Sequence, residues 1–330
     1  MAGKAKLYPP LRLCAEKETL IGKFESVSHV IENECFEDFI AFEMDNALGK
    51  FETVLEIQYG IPADSRQGKL LTASMTSQVY DDVFATLILA EWKKNKQVYC
   101  IPKDLYNMLV EMDDFDIELS IFKHLPYEAF YLELQDVQHI DGILVRYNSK
   151  TSELAFCIIF KPNCEFTESG VNGGFFTPED NGSFKKFIQR QAEQLPGSPD
   201  DEGLLAIQEA LKLVLQASMY LCAKNADIEE NLVQKGIYRP SAVIKNRYAE
   251  IRKWDVGLRV VKEHKRITKE AQEQTRKHVA EGRKRPRQHW RKAHWHTYLV
   301  GPGRKERELK FIAPMLINDI GDEMPVVKHE

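Results

Sequence analysis

The sequence predicts an α+β protein with a helical N-terminal region, a central antiparallel β-sheet, a buried core helix, and a basic helix, arm and C-terminal β-hairpin. Three observations predict this class. Apolar residues recur at three-to-four spacing up to about residue 110, and short β-branched and aromatic runs follow from about residue 117. Beyond residue 231 the chain becomes strongly basic.

The first two regions differ in the period of their apolar residues. Residues 1–110 are predicted to be mostly helical, because stretches such as QVYDDVFATLILAEWKKNK place apolar side chains on one helical face. Residues 111–200 are predicted to form the antiparallel sheet, with strands in IELSIFK, AFYLEL, GILVRYN and ELAFCIIFK. NSKT at 148–151 has the length of a hairpin connection, and TESGVNGGFFTPEDNGS at 167–183 is predicted to be a glycine-rich loop.

The remaining two regions are predicted to be helical and then basic. Residues 201–282 begin with an apolar helix at 203–223, interrupted only by the narrow polar stripe of Glu209, Lys212 and Gln216, so we expect a core helix and not a membrane span. A projecting helix with one basic stripe follows, formed by Arg259, Lys262, Arg266, Lys269 and Arg276. Residues 283–330 are predicted to be a basic arm and a β-hairpin, with HWHTYLV and ELKFIAPMLI on either side of GPGRKER.

Charge is unevenly distributed along the chain. The formal net charge is −5, yet residues 231–312 hold 23 Lys and Arg against 8 Asp and Glu, so this part carries +15 and the remainder −20. The split predicts an acidic body with a basic surface for an anionic partner. The six cysteines form no CxxC pair and the start lacks the apolar region of a secretory signal, so we expect reduced thiols in a cytoplasmic protein.

A dense basic segment, RKRPRQHWRK at 283–292, contains no acidic residue. Arginine and lysine contact phosphates, and tryptophan stacks on unpaired bases, which together favour single-stranded RNA as a ligand. The predicted nucleic-acid-binding residues are Arg283, Lys284, Arg285, Arg287, Trp290, Arg291, Lys292, Trp295, Arg304 and Lys305. The alternative is a solvated arm whose tryptophans pack on the body.

Three histidines near this segment, His289, His294 and His296, are candidates for catalysis or for a metal site. In a strand, His294 and His296 point to the same face as Tyr298. Histidine can act as general acid and base in RNA cleavage. A metal is not expected, because cations crowd the site and no nearby Asp, Glu or Cys supplies a third ligand. The acidic run EMDDFDIE at 111–118 is interpreted as a solvated turn, and no cofactor is predicted.

Two stretches carry a recognisable pattern. KRPRQHWRKAHWHTYLVGPGRKERELKFIAPMLIN at 284–318 has an Arg/Lys-Pro run, a His, two basic residues, a small residue before His-Trp-His, an aromatic, a Gly-x-Gly turn and a closing Asn. SIFKHLPYEAFYLEL at 120–134 adds Ser-Ile-Phe, Leu-Pro and Tyr. Both resemble the second type V-A anti-CRISPR protein family. The matching residues of the first stretch are Arg285, Pro286, His289, Arg291, Lys292, Ala293, His294, Trp295, His296, Tyr298, Gly301, Gly303 and Asn318.

This resemblance implies a protein encoded by a phage, plasmid or other mobile element that acts in the cytoplasm of a bacterial host. A characterised member recognises the nascent polypeptide of the type V-A CRISPR effector and triggers destruction of its mRNA. The implied partners are a nascent polypeptide of that effector or of another protein, RNA of the message or the ribosome, and a host nuclease; no membrane is implied. A peptide could bind by adding a strand to a sheet edge. The family brings no established catalytic residues, so two alternatives stay open: an RNA endonuclease centred on the C-terminal histidines, and a stand-alone nucleic-acid-binding regulator.

Overall fold

The computed structural model describes residues 8–22, 25, 36–113, 119–161, 170–176, 202–231, 251–280, 289–304 and 306–317. Among these residues, three α-helices precede the first strand, and the other three lie between groups of strands. The helices are α1 (Pro9–Glu16), α2 (Phe36–Tyr59), α3 (Arg66–Asn95), α4 (Lys103–Val110), α5 (Glu202–Cys222) and α6 (Leu258–Ala280). Within this part of the chain, no helix has the length and apolarity needed to cross a bilayer.

A seven-stranded sheet forms the centre of the molecule, in the order β5-β4-β3-β2-β1-β7-β6. Its strands are β1 (Gln97–Ile101), β2 (Ala129–Leu134), β3 (Ile140–Asn148), β4 (Glu153–Phe160), β5 (Val171–Phe176), β6 (Ile228–Glu230) and β7 (Arg252–Val256). Strands β2 to β5 are antiparallel, whereas β1 runs parallel to both β2 and β7. The sheet is therefore mixed, and the predicted purely antiparallel arrangement holds only for β2 to β5.

Both faces of the sheet are buried, as the side chains of β1 show. Val98 and Cys100 belong to an apolar cluster with α1 and α3, and Tyr99 and Ile101 belong to a second cluster with α4 and α5. Alternate residues of a strand point to opposite faces, so a strand covered on both sides reads as a continuous apolar run. The molecule thus has three layers, with helices on each side of the sheet.

Several predicted elements are confirmed. The α+β class holds, the hairpin of β3 and β4 turns at residues 149–152 as NSKT predicted, and α5 is buried along most of its length. The C-terminal hairpin is formed by β9 (His294–Val300) and β10 (Glu306–Ile312), which pair antiparallel. A second small antiparallel pair consists of β8 (His289–Arg291), which precedes the hairpin in the chain, and β11 (Met315–Ile317), which follows it.

Three predicted elements are corrected. IELSIFK was predicted as a strand, but Leu119–His124 form a 3₁₀ helix, in which Leu119 and Phe122 are buried at three-residue spacing. The glycine-rich loop contains strand β5, whose Gly173 lies against Phe84; a Cβ there would stand 2.6 Å from the Phe84 Cβ. The region 1–110, predicted to be mostly helical, also supplies β1 to the sheet, and the region 201–282, predicted to be helical, supplies β6 and β7.

Candidate functional site

The C-terminal hairpin is anchored to α5 through one tryptophan. Trp295 is 7% exposed, and its indole N–H donates a hydrogen bond to the side chain of Gln216. Its ring meets Phe311 edge to face with centroids 5.3 Å apart, and Phe311 in turn meets Tyr220 at 5.0 Å. Gln216 is one of the three polar residues that form the stripe on α5. This member of the stripe is thus the hydrogen-bond partner of a buried indole.

A second anchor joins β10 to the turn after α5. The Asn225 side chain donates to the carbonyl of Phe311 at 2.8 Å and accepts from its backbone N–H at 2.9 Å. The backbone N–H of Lys224 donates to the carbonyl of Leu309 at 3.1 Å. These bonds satisfy backbone groups on the edge of β10 as another strand would, and they fix the hairpin on the body.

The outer face of the hairpin carries aromatic and cationic side chains. The rings of His296 and Tyr298 are stacked, with centroids 4.2 Å apart and planes 24° from parallel. The Lys310 ammonium lies 4.7 Å from the centre of the Tyr298 ring. Tyr298 is 39% exposed, so this face of β9 presents an aromatic surface to solvent, as the alternation of the strand predicts.

The histidine candidates are separated between two strand pairs. His294 and His296 lie on the same face of β9, as predicted, and His294 Nδ1 is 3.3 Å from the carbonyl of Lys292. His289 lies in β8 and pairs with Ile317 of β11, and its side chain lies outside the described residues. No group of three His, Cys, Asp or Glu side chains suited to a metal occurs within the described ranges.

Buried thiols are poorly suited to nucleophilic chemistry. Burial raises the pKa of Cys100 and Cys157 far above the usual thiol value, and it raises the pKa of Cys222 to about 12. With pKa values this high, these cysteines are almost entirely protonated at neutral pH. Because the thiolate and not the thiol is the nucleophile, they are poor nucleophiles. Their role in the structure is to fill apolar space.

The basic residues differ in how they are paired. Arg291, Lys292 and Arg304 are exposed around the hairpin, and the Lys292 ammonium is 3.5 Å from the Asp113 carboxylate, an exposed ion pair. On α6 the predicted basic stripe is partly neutralised. Arg259 is bonded to Asp227, which raises the pKa of the guanidinium. Arg266 forms ion pairs with two glutamates of its own helix, Glu263 and Glu270. The stripe is therefore less basic than its sequence indicates.

One predicted stacking residue is corrected. Trp295 packs beneath the hairpin and donates its N–H to Gln216, so its ring is not presented to an unpaired base. The alternative interpretation, a tryptophan packed on the body, holds for this residue. Trp290 lies in β8 with its side chain outside the described residues. Also outside them are Arg283, Lys284, Arg285, Pro286, Arg287, Lys305 and Asn318.

The turn of the hairpin follows the Gly-x-Gly pattern. Gly301 and Gly303 have φ of 78° and 72°, in the left-handed region that favours glycine, and Arg304 follows at 53°. The Arg304 N–H donates to the carbonyl of Gly301 at 3.0 Å, which closes a tight turn. The two glycines of the motif thus have a backbone role, and they place Arg304 at the tip.

An apolar groove between α2 and α3 was not found from the sequence. Its volume is about 260 Å³, and Phe51, Val54 and Met75 contribute to its walls. The sequence offers one signal for it, the uncharged stretch LLTASMTSQVY at 70–80, which lies within the region predicted to be mostly helical.

The model of the AcrVA2-like family, described as the anti-CRISPR type V subtype A2 family, matches residues 99–319, more than half of the chain. The chain belongs to this family. The part matched by the anti-CRISPR family model starts within β1 and ends beyond β11, whereas α1, α2 and α3 precede it.

One solved structure similar to this anti-CRISPR family member is titled "Crystal structure of AcrVA2". It is 15% identical in sequence, and the alignment covers 91% of this chain and 99% of that chain with a TM-score of 0.45. No curated protein matches the chain.

Proposed function

We propose that this protein recognises a nascent polypeptide, of a type V-A CRISPR effector or of another target, and triggers loss of its mRNA during translation, contacting RNA through its basic C-terminal region. The observation that carries the proposal is the anti-CRISPR family match across residues 99–319, which includes most of the sheet and the C-terminal hairpin. A binding protein of this kind acts through two surfaces, one for peptide and one for RNA.

The two edges of the sheet are the surfaces suited to an added peptide strand. At the β5 edge, the backbone N–H of Gly173 donates to the Asp81 carboxylate at 3.0 Å. This bond occupies one of the backbone donors of β5. At the other edge, β6 is short and carries the exposed Glu229 and Glu230. An added strand at β6 would meet two carboxylates. Glu229 is already 3.4 Å from the Arg259 guanidinium, so Glu230 is the carboxylate that favours a basic residue in the peptide.

Binding is favoured over intrinsic cleavage by the contacts of the histidines. His296 stacks on Tyr298, and the Nδ1 of His294 faces a backbone carbonyl. Within the described residues, neither is hydrogen-bonded to a carboxylate that would orient it as a general base. In this proposal a host nuclease supplies the cleavage. Incubation of the purified protein with RNA, with and without EDTA, tests this; cleavage in either condition would establish the endonuclease alternative.

A reporter experiment tests peptide recognition. The N-terminal segment of a type V-A effector is fused to a fluorescent protein, and mRNA is measured with and without this protein. Two matched reporters separate peptide from nucleotide sequence. One encodes the same peptide with synonymous codons, and the other keeps nearly the same nucleotides in a shifted reading frame.

We expect loss of mRNA from the original and the synonymous reporter and no loss from the frame-shifted one. Loss from all three reporters would mean that the message is recognised without its peptide. Unchanged mRNA in all three would overturn the proposal for this effector, and a screen of other host reading frames would then test the remaining targets.

A further inference from the structure

The outer face of β9 has the composition of a base-stacking surface. His296 and Tyr298 are two residues apart and form a stacked pair at 4.2 Å on the side opposite to the buried Trp295. Aromatic side chains on an exposed strand are the usual platform for unpaired bases, because every base has a flat face that can stack on an aromatic ring. Burial removes Trp295 from this role and leaves the His296–Tyr298 pair exposed on the hairpin.

Contacts from β10 hold this pair in place. Lys310 lies opposite His296 in the register, and its ammonium reaches the ring of Tyr298 at 4.7 Å. A cation over a tyrosine ring contributes attraction and restricts the ring. Because the hairpin is itself fixed to α5 through Trp295 and to the turn after α5 through Asn225, the aromatic pair stands on a rigid element.

The charge around the pair suits a polyanion. Glu308 lies opposite Tyr298 and is the nearest acidic residue in the register, but its carboxylate is 2.6 Å from the Lys224 ammonium and 3.4 Å from that of Lys310. The bond from Lys224 lowers the pKa of Glu308, so this carboxylate is ionised and neutralised by its partners. Arg304 lies at the tip, six residues beyond Tyr298 along the chain, and is exposed.

We propose that His296 and Tyr298 form a stacking platform for bases of single-stranded RNA, with Lys310 and Arg304 contacting the adjacent phosphates. This inference rests on the RNA contact of the proposed function and assigns its residues. It differs from the binding set indicated by the sequence, in which the stacking residues were tryptophans.

Two probes separate stacking from charge. The first is a fluorescein-labelled single-stranded oligoadenylate RNA of about 12 nucleotides, a length within the range that single-strand-binding domains occupy. The second is an abasic oligomer of equal length, which keeps the phosphates and lacks the bases. Binding to the full-length protein is measured by fluorescence anisotropy at several salt concentrations.

The variants compare loss of the ring with its retention. Tyr298→Leu removes the ring and keeps an apolar side chain, whereas Tyr298→Phe keeps the ring. Leu299→Ala is the matched control, since Leu299 is 56% exposed on the other face of the same strand. Circular dichroism and thermal unfolding check that each variant is folded.

The expected result is a difference between the two probes that depends on the ring. Wild type, Tyr298→Phe and Leu299→Ala bind oligoadenylate about tenfold more tightly than the abasic oligomer. Tyr298→Leu binds the two probes with nearly equal affinity, and the salt dependence of its binding is unchanged because no phosphate contact is lost.

Two results would overturn the platform: wild type binds both probes equally or not at all, or folded Tyr298→Leu keeps the preference for bases. If Tyr298→Leu abolishes mRNA loss in the reporter assay while wild type binds no RNA, the surface contacts a protein and the RNA assignment fails. The reporter assay and the binding assay are independent. If the wild type prefers bases in a ring-dependent way but lowers none of the reporter mRNAs, the platform is retained and the proposed function is overturned for this effector.

Discussion

At the scale of single residues, Asp227 connects the turn after α5 to the start of α6. Its carboxylate accepts from the backbone N–H of Arg259 and, at 2.6 Å, from the guanidinium of the same residue. Its own carbonyl accepts from the N–H of Gly257 at 2.7 Å. The first backbone N–H groups of a helix have no partner within the helix, so the Asp227 carboxylate caps α6 by accepting from one of them. The hydrogen bonds that it accepts from α6 in turn offset the cost of burying its charge.

Replacing this residue should therefore destabilise the protein. We expect Asp227→Ala to lower the free energy of unfolding by about 1–3 kcal/mol, because a cap and a charge-assisted hydrogen bond are lost. Urea denaturation measures the change. The control is Glu229→Ala, since Glu229 is also paired with Arg259, at 3.4 Å, but is exposed; its removal should change the stability by less than about 0.5 kcal/mol. Equal effects of the two variants would contradict the capping role.

At the scale of elements, the sequence predicts best where a local pattern and the final environment agree. Strands β2, β3, β4, β9 and β10 were predicted because each is a short apolar or alternating run bounded by turn residues. Strand β1 follows directly on α3, with only Lys96, at φ 48°, between them. Its five residues therefore read as a continuation of the apolar helical pattern. Long-range pairing with β2 and β7 decides its conformation, and this information is absent from any local window.

Strand β5 was missed for a different reason. Glycines usually indicate a loop, but Gly173 and Gly174 permit close approach of Phe84 from α3 and Phe156 from β4. The absence of side chains at these two positions is thus a packing requirement, which a sequence pattern alone does not distinguish from a turn.

This requirement predicts the effect of a larger residue in β5. Gly173→Val should destabilise the protein by about 1–3 kcal/mol, because its side chain would overlap Phe84. Asn172→Val introduces the same side chain at the preceding position and should be close to neutral, since valine favours strands. Thermal unfolding of both variants measures the difference. A stable Gly173→Val variant would show that β5 does not pack on α3 as described.

The hairpin provides a second test at this scale. Asn225→Ala removes both hydrogen bonds to Phe311, and we expect faster amide hydrogen exchange in β9 and β10 with little change in the seven-stranded sheet. Lys224→Ala is the comparison, because it removes only an ion pair whose lysine is exposed. Exchange that accelerates equally in the sheet and the hairpin would mean that the two unfold together.

At the scale of the whole molecule, the charge split predicted from sequence remains informative after the pairing on α6 is taken into account. The part of the chain outside residues 231–312 carries a net charge of −20 and should repel RNA, so the proposed function places RNA contact in the basic C-terminal part. The burial of Trp295, a predicted stacking residue, could not be predicted from the sequence, because it depends on Gln216, far away in the chain.

Charge reversal tests this restriction. Replacing Arg285, Arg287, Arg291 and Lys292 with Glu should weaken RNA binding and reduce its salt dependence, because phosphate contacts release fewer counterions. The matched control replaces the exposed residues Lys50, Arg66, Lys69 and Lys103 with Glu, which changes the net charge of the molecule by the same amount. Anisotropy titrations at several salt concentrations should show a smaller slope only for the first set. The same slope in both sets would exclude the C-terminal region as the contact surface.

The position of β1 between β2 and β7 has a consequence for how this protein is made. Gln97 pairs with Arg252, so one side of β1 has no strand partner until the ribosome has synthesised β7. Pairing across so long a stretch of chain slows folding, and an unpaired strand edge can join to strands of other chains. A product that terminates before β7 would leave that edge of β1 open and should therefore be prone to aggregation.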